Sequence, residues 1–533
     1  LKSSDEFRFI GKSVPRKDSH DKTTGKAIYT QDIKLPGMLT ALVAHAPRIG
    51  ASVKSFDATA CKKVKGVINV VQIPTGIAVL AKDYWSALQG RYALKVDWDE
   101  SQAFKKGSAE LMGEYKALAK KPGSVARKDG DVDTAMASAV KTLSASYEFP
   151  YLAHAAMEPL NCVVQIKKEG CEIWNAAQTQ TSDQMAVAKV LGIEVDQVKI
   201  NTLYAGGSFG RRANPLSDYV LEATHIAKAL GDNTPVKLVW TREDDMRGGY
   251  YRPMYYHELK AGLDKEGNPV AWQHRIVGQS ILTGTAFEPM LVKNGVDGTS
   301  VEGASNLPYS IPNMLVDLHS PKVPVTVQWW RSVGSTHTAY STETFIDELA
   351  HAANKDPVDF RRTLLKDHPR HLDVMELAVD KGGWGQALPK GKGRGIAVHE
   401  SFNSFVAQVA DVTVNSDNTF TVDRVVIAID CGIAVNPDVI RAQMEGGMGF
   451  GLSAALVSAI TLEDGQVQQS NFHDYEVLRI KQMPKQVYVH IVKSDEPPTG
   501  VGEPATPVIA PAVANALFNA TGKRFYQLPI KLV

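Results

Sequence analysis

The chain has 533 residues, more than one hydrophobic core organises, so two or more domains, or a large one carrying a smaller one, are expected. With 59 Lys+Arg against 58 Asp+Glu and 44% hydrophobic residues it has ordinary globular composition and no basic stripe, which argues against nucleic-acid and membrane-surface partners. Its four cysteines, Cys61, Cys162, Cys171 and Cys431, form no CxxC or Cys/His cluster, so neither an iron–sulfur nor a structural zinc site is encoded here, and all four are read as reduced thiols.

Residues 1–100 alternate short β-type runs (GMLTALVAHAP, GVINVVQI, GIAVLA, ALKVDWDE) with brief helical stretches such as SFDATACKKV, as a small α+β domain would. Residues 101–140 become charged and rich in Lys and Ala, which reads as a connecting segment of helices and loops. Residues 141–533 mix strands (TLSASYEFPYL, VKLVWT, VAQVADVTV, FTVDRVVIAID) with helices (TETFIDELAHAAN, DPVDFRRTLLKD) in an α+β order without regular βαβ alternation. Within them, CVVQIKKEGCEIW reads as a hairpin turning near Lys167 to Gly170, which pairs Cys171 near Ile166 and leaves Cys162 several residues away. The uncharged run from Gly446 to Leu462 is short for a bilayer crossing and rich in Gly and Ser, so a buried helix and strand edge are expected. The chain opens on Leu1 rather than Met and continues with charged residues; no signal peptide is visible, and the natural start is expected to have been lost or to lie on another segment.

Three stretches could carry chemistry. YAGGSFGRR, Tyr204 to Arg212, is a Gly-rich turn ahead of a helix in which Tyr219, Val220, Ala223, Ile226, Ala227 and Leu230 recur at helical spacing until Gly231 stops it. Bare amides and a helix amino terminus suit an anionic or phosphate-bearing cofactor; the bland alternative is a tight turn with two solvated arginines. The stretch is not GxGxxG and no ribose-binding acid follows, so nicotinamide is disfavoured. WWRSVGS has the same form: Trp329, Trp330 and Arg331, a Ser-Val-Gly turn, then an amphipathic helix with Phe345, Ile346, Leu349 and Ala350 on one side. The two tryptophans are read as core, and His154 and His337 as hydrogen-bonded structural histidines.

The third stretch is TGVGEPATP, where Glu503 is the one charged residue between Glu496 and Lys523. A helix is expected behind it, with Thr506 as cap, Pro507 in the first helical position and Gly522 as stop. Glu503 is then either a solvated loop carboxylate or a general base beside a helix amino terminus.

Taken together, these motifs resemble the molybdenum-binding large subunit of the xanthine oxidase and aldehyde oxidoreductase family, over nearly the whole chain. GGSFG is similar to the family's GGxFG loop, WRSVGS to its FRxxG-like loop, QMEGGMGFGLSAAL to its QxEG helix, and GVGEPATPVIAPAVANAL to its carboxy-terminal GxGEP motif. FRFIGKSVPRKD, LAHAAMEPLNC, TREDDMRGGYYRP, DELAHAANKDPVDFRR and QQSNFHDYEVLR resemble the isoquinoline 1-oxidoreductase beta-subunit type. The resemblance implies an α/β hammerhead domain over residues 1–100 and a molybdopterin-binding α+β domain over residues 141–533. Carried over, Glu503 would be the base. Gly206, Gly207, Ser208, Phe209, Gly210 and Arg211 would line the molybdenum and pterin, Gln178 would face the metal, and Arg331, Ser332, Gln443 and Gly502 would hold the cofactor. This subtype usually begins with a segment containing GQG; none occurs here, so a cleaved or separate segment is expected.

The resemblance further implies oxidation of an aldehyde, or hydroxylation of an N-heteroaromatic ring next to nitrogen, with water as oxygen source. The metal would be held only through pterin dithiolene sulfurs, in the cytosine dinucleotide form. Electrons would leave to a small [2Fe–2S] partner subunit, and from there to a c-type cytochrome subunit. Phe402, Phe405, Trp329 and Trp330 are candidates for an apolar substrate pocket. The expected compartment is the periplasm, with the cytoplasm as alternative. A different class of reading is a non-catalytic scaffold that kept the fold and lost the cofactor.

Overall fold

Three main sheets and three two-stranded ones organise a computed structural model that describes residue 3 and residues 6–532, an α+β architecture. The first sheet has seven strands in the order Val198–Thr202, Gly170–Asn175, Asn161–Lys167, Val236–Val239, Leu39–His45, Gly76–Ala81, Val67–Ile73. Its halves come from both sides of the boundary expected at residue 100, because Leu39 pairs in parallel with Val236 and Ala41 with Leu238. Ala41, Leu42 and Val43 are buried in succession, the pattern of a strand covered on both faces, so this strand sits inside a larger sheet instead of closing a small one. Helices Gln180–Leu191 and Asp218–Leu230 cover that sheet in a core containing Val187, Tyr219, Ala223 and Ile226.

The 101–140 segment is likewise drawn into a sheet. Its strand Ser124–Asp129 forms the edge of five strands that continue through Met314–His319, Pro269–Gly278 and Tyr255–Leu263 to Lys141–Phe149. The third sheet runs Lys392–Ser401, Ser404–Val414, Phe420–Asp430, Gln486–Ile491. One core joins these two sheets through helix Ser335–Ala352 and helix Ile509–Thr521.

Two expectations change. SFDATACKKV is not helical: it is the end of strand Ser52–Asp57 and a 3-10 turn, Cys61–Lys63. The Asp57 carboxylate accepts the Thr59 amide at 2.8 Å, a local bond that competes with helix formation. Helix Ser335–Ala352 carries the apolar side expected of it, yet its polar side is buried as well. Thr342 Oγ1 donates to Thr338 O at 2.8 Å, Arg361 Nε to Glu343 Oε2 at 3.1 Å and Arg524 Nη1 to Asp347 Oδ2 at 2.7 Å, so its polar groups are satisfied inside the protein.

The hairpin forms in the expected register, Ile166 opposite Cys171, and all four cysteines are buried and unpaired. The uncharged run becomes the end of helix Pro437–Leu456 and the start of the short strand Leu462–Glu463. No helix among the described residues is long and apolar enough to cross a membrane.

Candidate functional site

The Gly-rich loop leaves strand Val198–Thr202 and ends at helix Asp218–Leu230, which Gly231 stops in a left-handed conformation. Phe209 and Gly210 both have positive φ, 57° and 110°. A side chain at Gly210 would bring its Cβ to 2.5 Å from Trp329 O, so only glycine lets the loop lie on the backbone of residues 328–331. Gln328 Nε2 donates to Gly210 O at 3.0 Å and the Arg331 amide to Phe209 O at 3.0 Å. Phe450, on helix Pro437–Leu456, stacks at 4.4 Å on Phe209 and at 4.4 Å on Trp330, which locks the two motif loops to that helix.

At the other end of the loop the Gly206 amide donates to Glu158 Oε2 at 2.7 Å, and Ser208 Oγ donates to Gln178 Oε1. The structure therefore brings Gln178 to the Gly-rich loop, where its side chain is exposed.

The two arginines behave differently from both readings of them. Arg211 and Arg212 are buried, not solvated. Arg211 Nη2 pairs with Asp218 Oδ2 at 2.6 Å and its guanidinium lies over the Tyr250 ring at 4.8 Å; Arg212 Nη2 pairs with Glu158 Oε2 at 3.1 Å. Asp218 opens the following helix, so its carboxylate already meets the positive helix end, and Arg211 is committed to that carboxylate rather than to the front of the loop.

Arg331 and Glu503 meet across the second and third motifs. Arg331 Nε donates to Gly502 O at 2.8 Å, and its Nη2 to Gln443 Oε1 at 3.0 Å. The next two residues, Ser332 and Val333, hold φ of 77° and 44°, a left-handed pair of non-glycine residues of the kind that clusters at functional sites. That turn aims the Ser332 amide at Glu503 Oε2, 2.9 Å away, while Ser332 Oγ donates to Glu503 O at 2.6 Å. Glu503 Oε1 accepts no hydrogen bond among the described residues. Burial pushes the Glu503 carboxyl above its ordinary range, against the opposing pull of the Ser332 amide and the Arg331 charge. The result is a fixed carboxylate with one oxygen held and one available.

The helix behind Glu503 starts later than expected. It runs Ile509–Thr521 with Val508 at the cap position, and Thr506 Oγ1 is buried without a partner among the described residues. Residues 503–508 are instead a turn pinned from both sides: Gln408 Nε2 donates to Ala505 O at 2.8 Å, and Gly451 of helix Pro437–Leu456 lies against the Thr506 carbonyl. Gly522 ends the helix in the left-handed conformation, as expected.

Of the apolar candidates, Phe402 is 44% exposed beside Gly500, near the Glu503 loop. Phe405 packs under Arg370 at 4.3 Å and against His371 at 4.7 Å, and Trp330 is core. His154 Nε2 lies 2.9 Å from Trp329 O and His337 Nδ1 3.0 Å from His257 Nε2; burial lowers both histidines, His154 to about 3, so both are neutral hydrogen-bonding groups. Among the described residues no three His, Cys, Asp or Glu side chains converge as a metal site. Sequence reasoning missed Glu158, Phe450 and Glu302, whose carboxylate accepts the Gly334 amide at 2.7 Å. Phe450 had a visible signal, an aromatic set between glycines in an uncharged run, and Glu158 lies in LAHAAMEPLNC, one of the stretches that carry the resemblance; Glu302 had none.

Residues 118–365 and 336–484 each match a molybdopterin cofactor-binding domain. The whole chain is 32% identical to isoquinoline 1-oxidoreductase subunit beta of Brevundimonas diminuta, spanning 69% of that protein. It is 31% identical over its full length to the membrane-bound aldehyde dehydrogenase [pyrroloquinoline-quinone] of Gluconacetobacter polyoxogenes, spanning 73% of it. In fold, 98% of the chain superposes on 97% of a chain of quinoline 2-oxidoreductase from Pseudomonas putida 86, with a TM-score of 0.83 at 16% identity.

Proposed function

The chain belongs to the molybdopterin cofactor-binding large subunits of the xanthine oxidase and aldehyde oxidoreductase family, and we propose that it oxidises an aldehyde or an N-heteroaromatic ring carbon with Glu503 as general base. The observation that carries this reading is the Ser332 amide on Glu503 Oε2 beside Arg331, which leaves Oε1 free to take a proton.

The residues present fit the cofactor. The amides of Gly207, Ser208 and Phe209 donate to no acceptor among the described residues, which suits a phosphate or an oxo group. Nothing lies within 4 Å of the side-chain position at Gly502, and a Cβ at Gly447 would stand 3.3 Å from the unpartnered Thr506 Oγ1 and 3.4 Å from Arg331 Nη2, so this wall is kept bare and polar. Gln178, the 206–210 loop, Arg331, Ser332, Gln443 and Gly502 would hold the group. When bound, it supplies a molybdenum centre, held through pterin sulfurs in the cytosine dinucleotide form, that takes two electrons from the substrate carbon with water as oxygen source.

The chain's own residues do the proton work. Glu503 Oε1 accepts the proton, and burial makes this carboxylate a stronger base than a solvated one. Ser332 fixes its orientation, and Arg331 offsets the charge that remains before the proton arrives. Phe402, exposed beside Gly500, offers an apolar surface to either substrate class.

The electrons are proposed to leave through a group that residues 1–533 do not hold. Cys61, Cys162, Cys171 and Cys431 are all buried, burial raises their thiols, Cys171 to about 12 and Cys431 to about 11, and among the described residues they join no cluster of metal-ligating side chains. The proposed partners are a small [2Fe–2S] subunit and a c-type cytochrome, in the periplasm. The test is turnover of an aldehyde and N-heteroaromatic panel by the natively purified complex in oxygen-18 water. Label in the N-heteroaromatic product supports the reading, aldehydes being scored for turnover alone because their hydrates exchange oxygen with water; product oxygen drawn from dioxygen would contradict it.

A further inference from the structure

A second carboxylate grips the turn that orients Glu503. Glu302 Oε1 accepts the Gly334 amide at 2.7 Å and the Ser335 amide at 3.3 Å, while Glu503 Oε2 accepts the Ser332 amide of the same turn at 2.9 Å. Between these anchors lie the two left-handed residues, Ser332 and Val333. Such a backbone persists only where its surroundings over-determine it. Glu302 is fixed in turn, since Thr338 Oγ1 donates to its carbonyl at 2.6 Å, and the position of Gly334 is so close to Thr299 O and Glu302 Cγ that no side chain fits there.

We propose that Glu302 is a positioning residue for Glu503: by clamping the Gly334 and Ser335 amides it holds the strained turn whose Ser332 amide aims the base. The inference rests on the function proposed above. The two carboxylates also feel each other. Burial, with the Glu503 charge and Asp297 adding to it and the two amides opposing, pushes Glu302 up to about 7. The other charged or titratable groups facing this turn include Arg331 beside Glu503, Arg252 and Tyr255 in the cavity behind Val333 and Gly334, and His337 and His399, which burial keeps neutral, His399 at about 4.

The test compares E302Q, E302A and E503Q with wild type in the natively assembled complex. E302A is expected to lower kcat on the order of a hundredfold while KM and molybdenum content stay near wild type, the cost of a misplaced base. E302Q keeps an oxygen for the Gly334 amide and is expected to restore kcat to within a few-fold of wild type. If E302A does not fold, E302D, which withdraws the carboxylate by one methylene, is read in its place. A readout independent of turnover is infrared titration of protonated carboxyl groups in a D183N background, because Asp183 is also pushed up to about 7: a signal titrating near neutral pH is expected to vanish with E302Q and to move to lower pH with E503Q, where the neighbouring charge is gone. Unchanged kcat in E302A or E302D, or a neutral-range signal that E503Q leaves in place, would overturn the proposal. Failure of the functional reading itself looks different: wild type would be inactive, while the infrared coupling would remain measurable.

Discussion

The backbone amide of Ser332 donates to Oε2 of Glu503 at 2.9 Å, across 171 residues of chain. This bond joins two motifs that are far apart in sequence into one device, because Arg331, the residue before Ser332, reaches back to Gly502, the residue before Glu503.

E503Q removes the proton acceptor and keeps the shape. Turnover is expected to fall by at least about a hundredfold, the usual contribution of a positioned base, with molybdenum content unchanged. A variant retaining more than a few per cent of activity would remove the assignment.

The pH profile follows from the burial of Glu503. The base works ionised, and its carboxyl is raised above the ordinary value of 4.5. Activity should therefore rise with pH along a limb of kcat/KM centred above 4.5. A limb at or below that value, or none that E503Q abolishes, would contradict the electrostatic account.

R331M deletes the donors to Gly502 O and Gln443 Oε1, together with the guanidinium that lies over the Phe450 ring, while keeping an unbranched apolar side chain. The expected result is a chain that folds with a melting temperature near wild type and purifies with substoichiometric molybdenum. Full molybdenum loading would separate Arg331 from cofactor retention.

Asp183, 3% exposed in helix Gln180–Leu191 behind Gln178, is pushed up to about 7 by burial, with Asp218 adding and Ser217 opposing. A raised folded pKa makes its contribution to stability complete below the ordinary value of 3.8 and lost as pH rises through about 7. D183N abolishes that loss. Between pH 5 and pH 8 the melting temperature of wild type should fall relative to the variant, by the equivalent of up to about 3 kcal/mol. Parallel curves would show that Asp183 ionises freely.

Glu503 was legible because a lone carboxylate among Gly and Pro is unusual, and Gly210 because a Gly-rich turn before a helix is a local pattern. Their partners were not legible. Thr506 looked like a helix cap by its spacing, yet the turn around it is fixed by Gln408 and Gly451, which local sequence does not place there. Arg211 stood in the right motif, but which way it turns was decided by Asp218 and the Tyr250 ring. Strand pairing had the same limit: the alternating runs of the first hundred residues announced strands, and only the register of Leu39 on Val236 reveals that they join a sheet built mostly from residues 161–239.

The central claim is that this chain carries a pterin-held molybdenum beside Glu503. It is tested most directly by metal analysis of the natively purified protein, with every co-purifying chain identified by mass. The account predicts molybdenum near one per chain, together with iron and a small cysteine-rich partner. A folded chain free of molybdenum would contradict it and leave Glu503 a loop carboxylate in a scaffold.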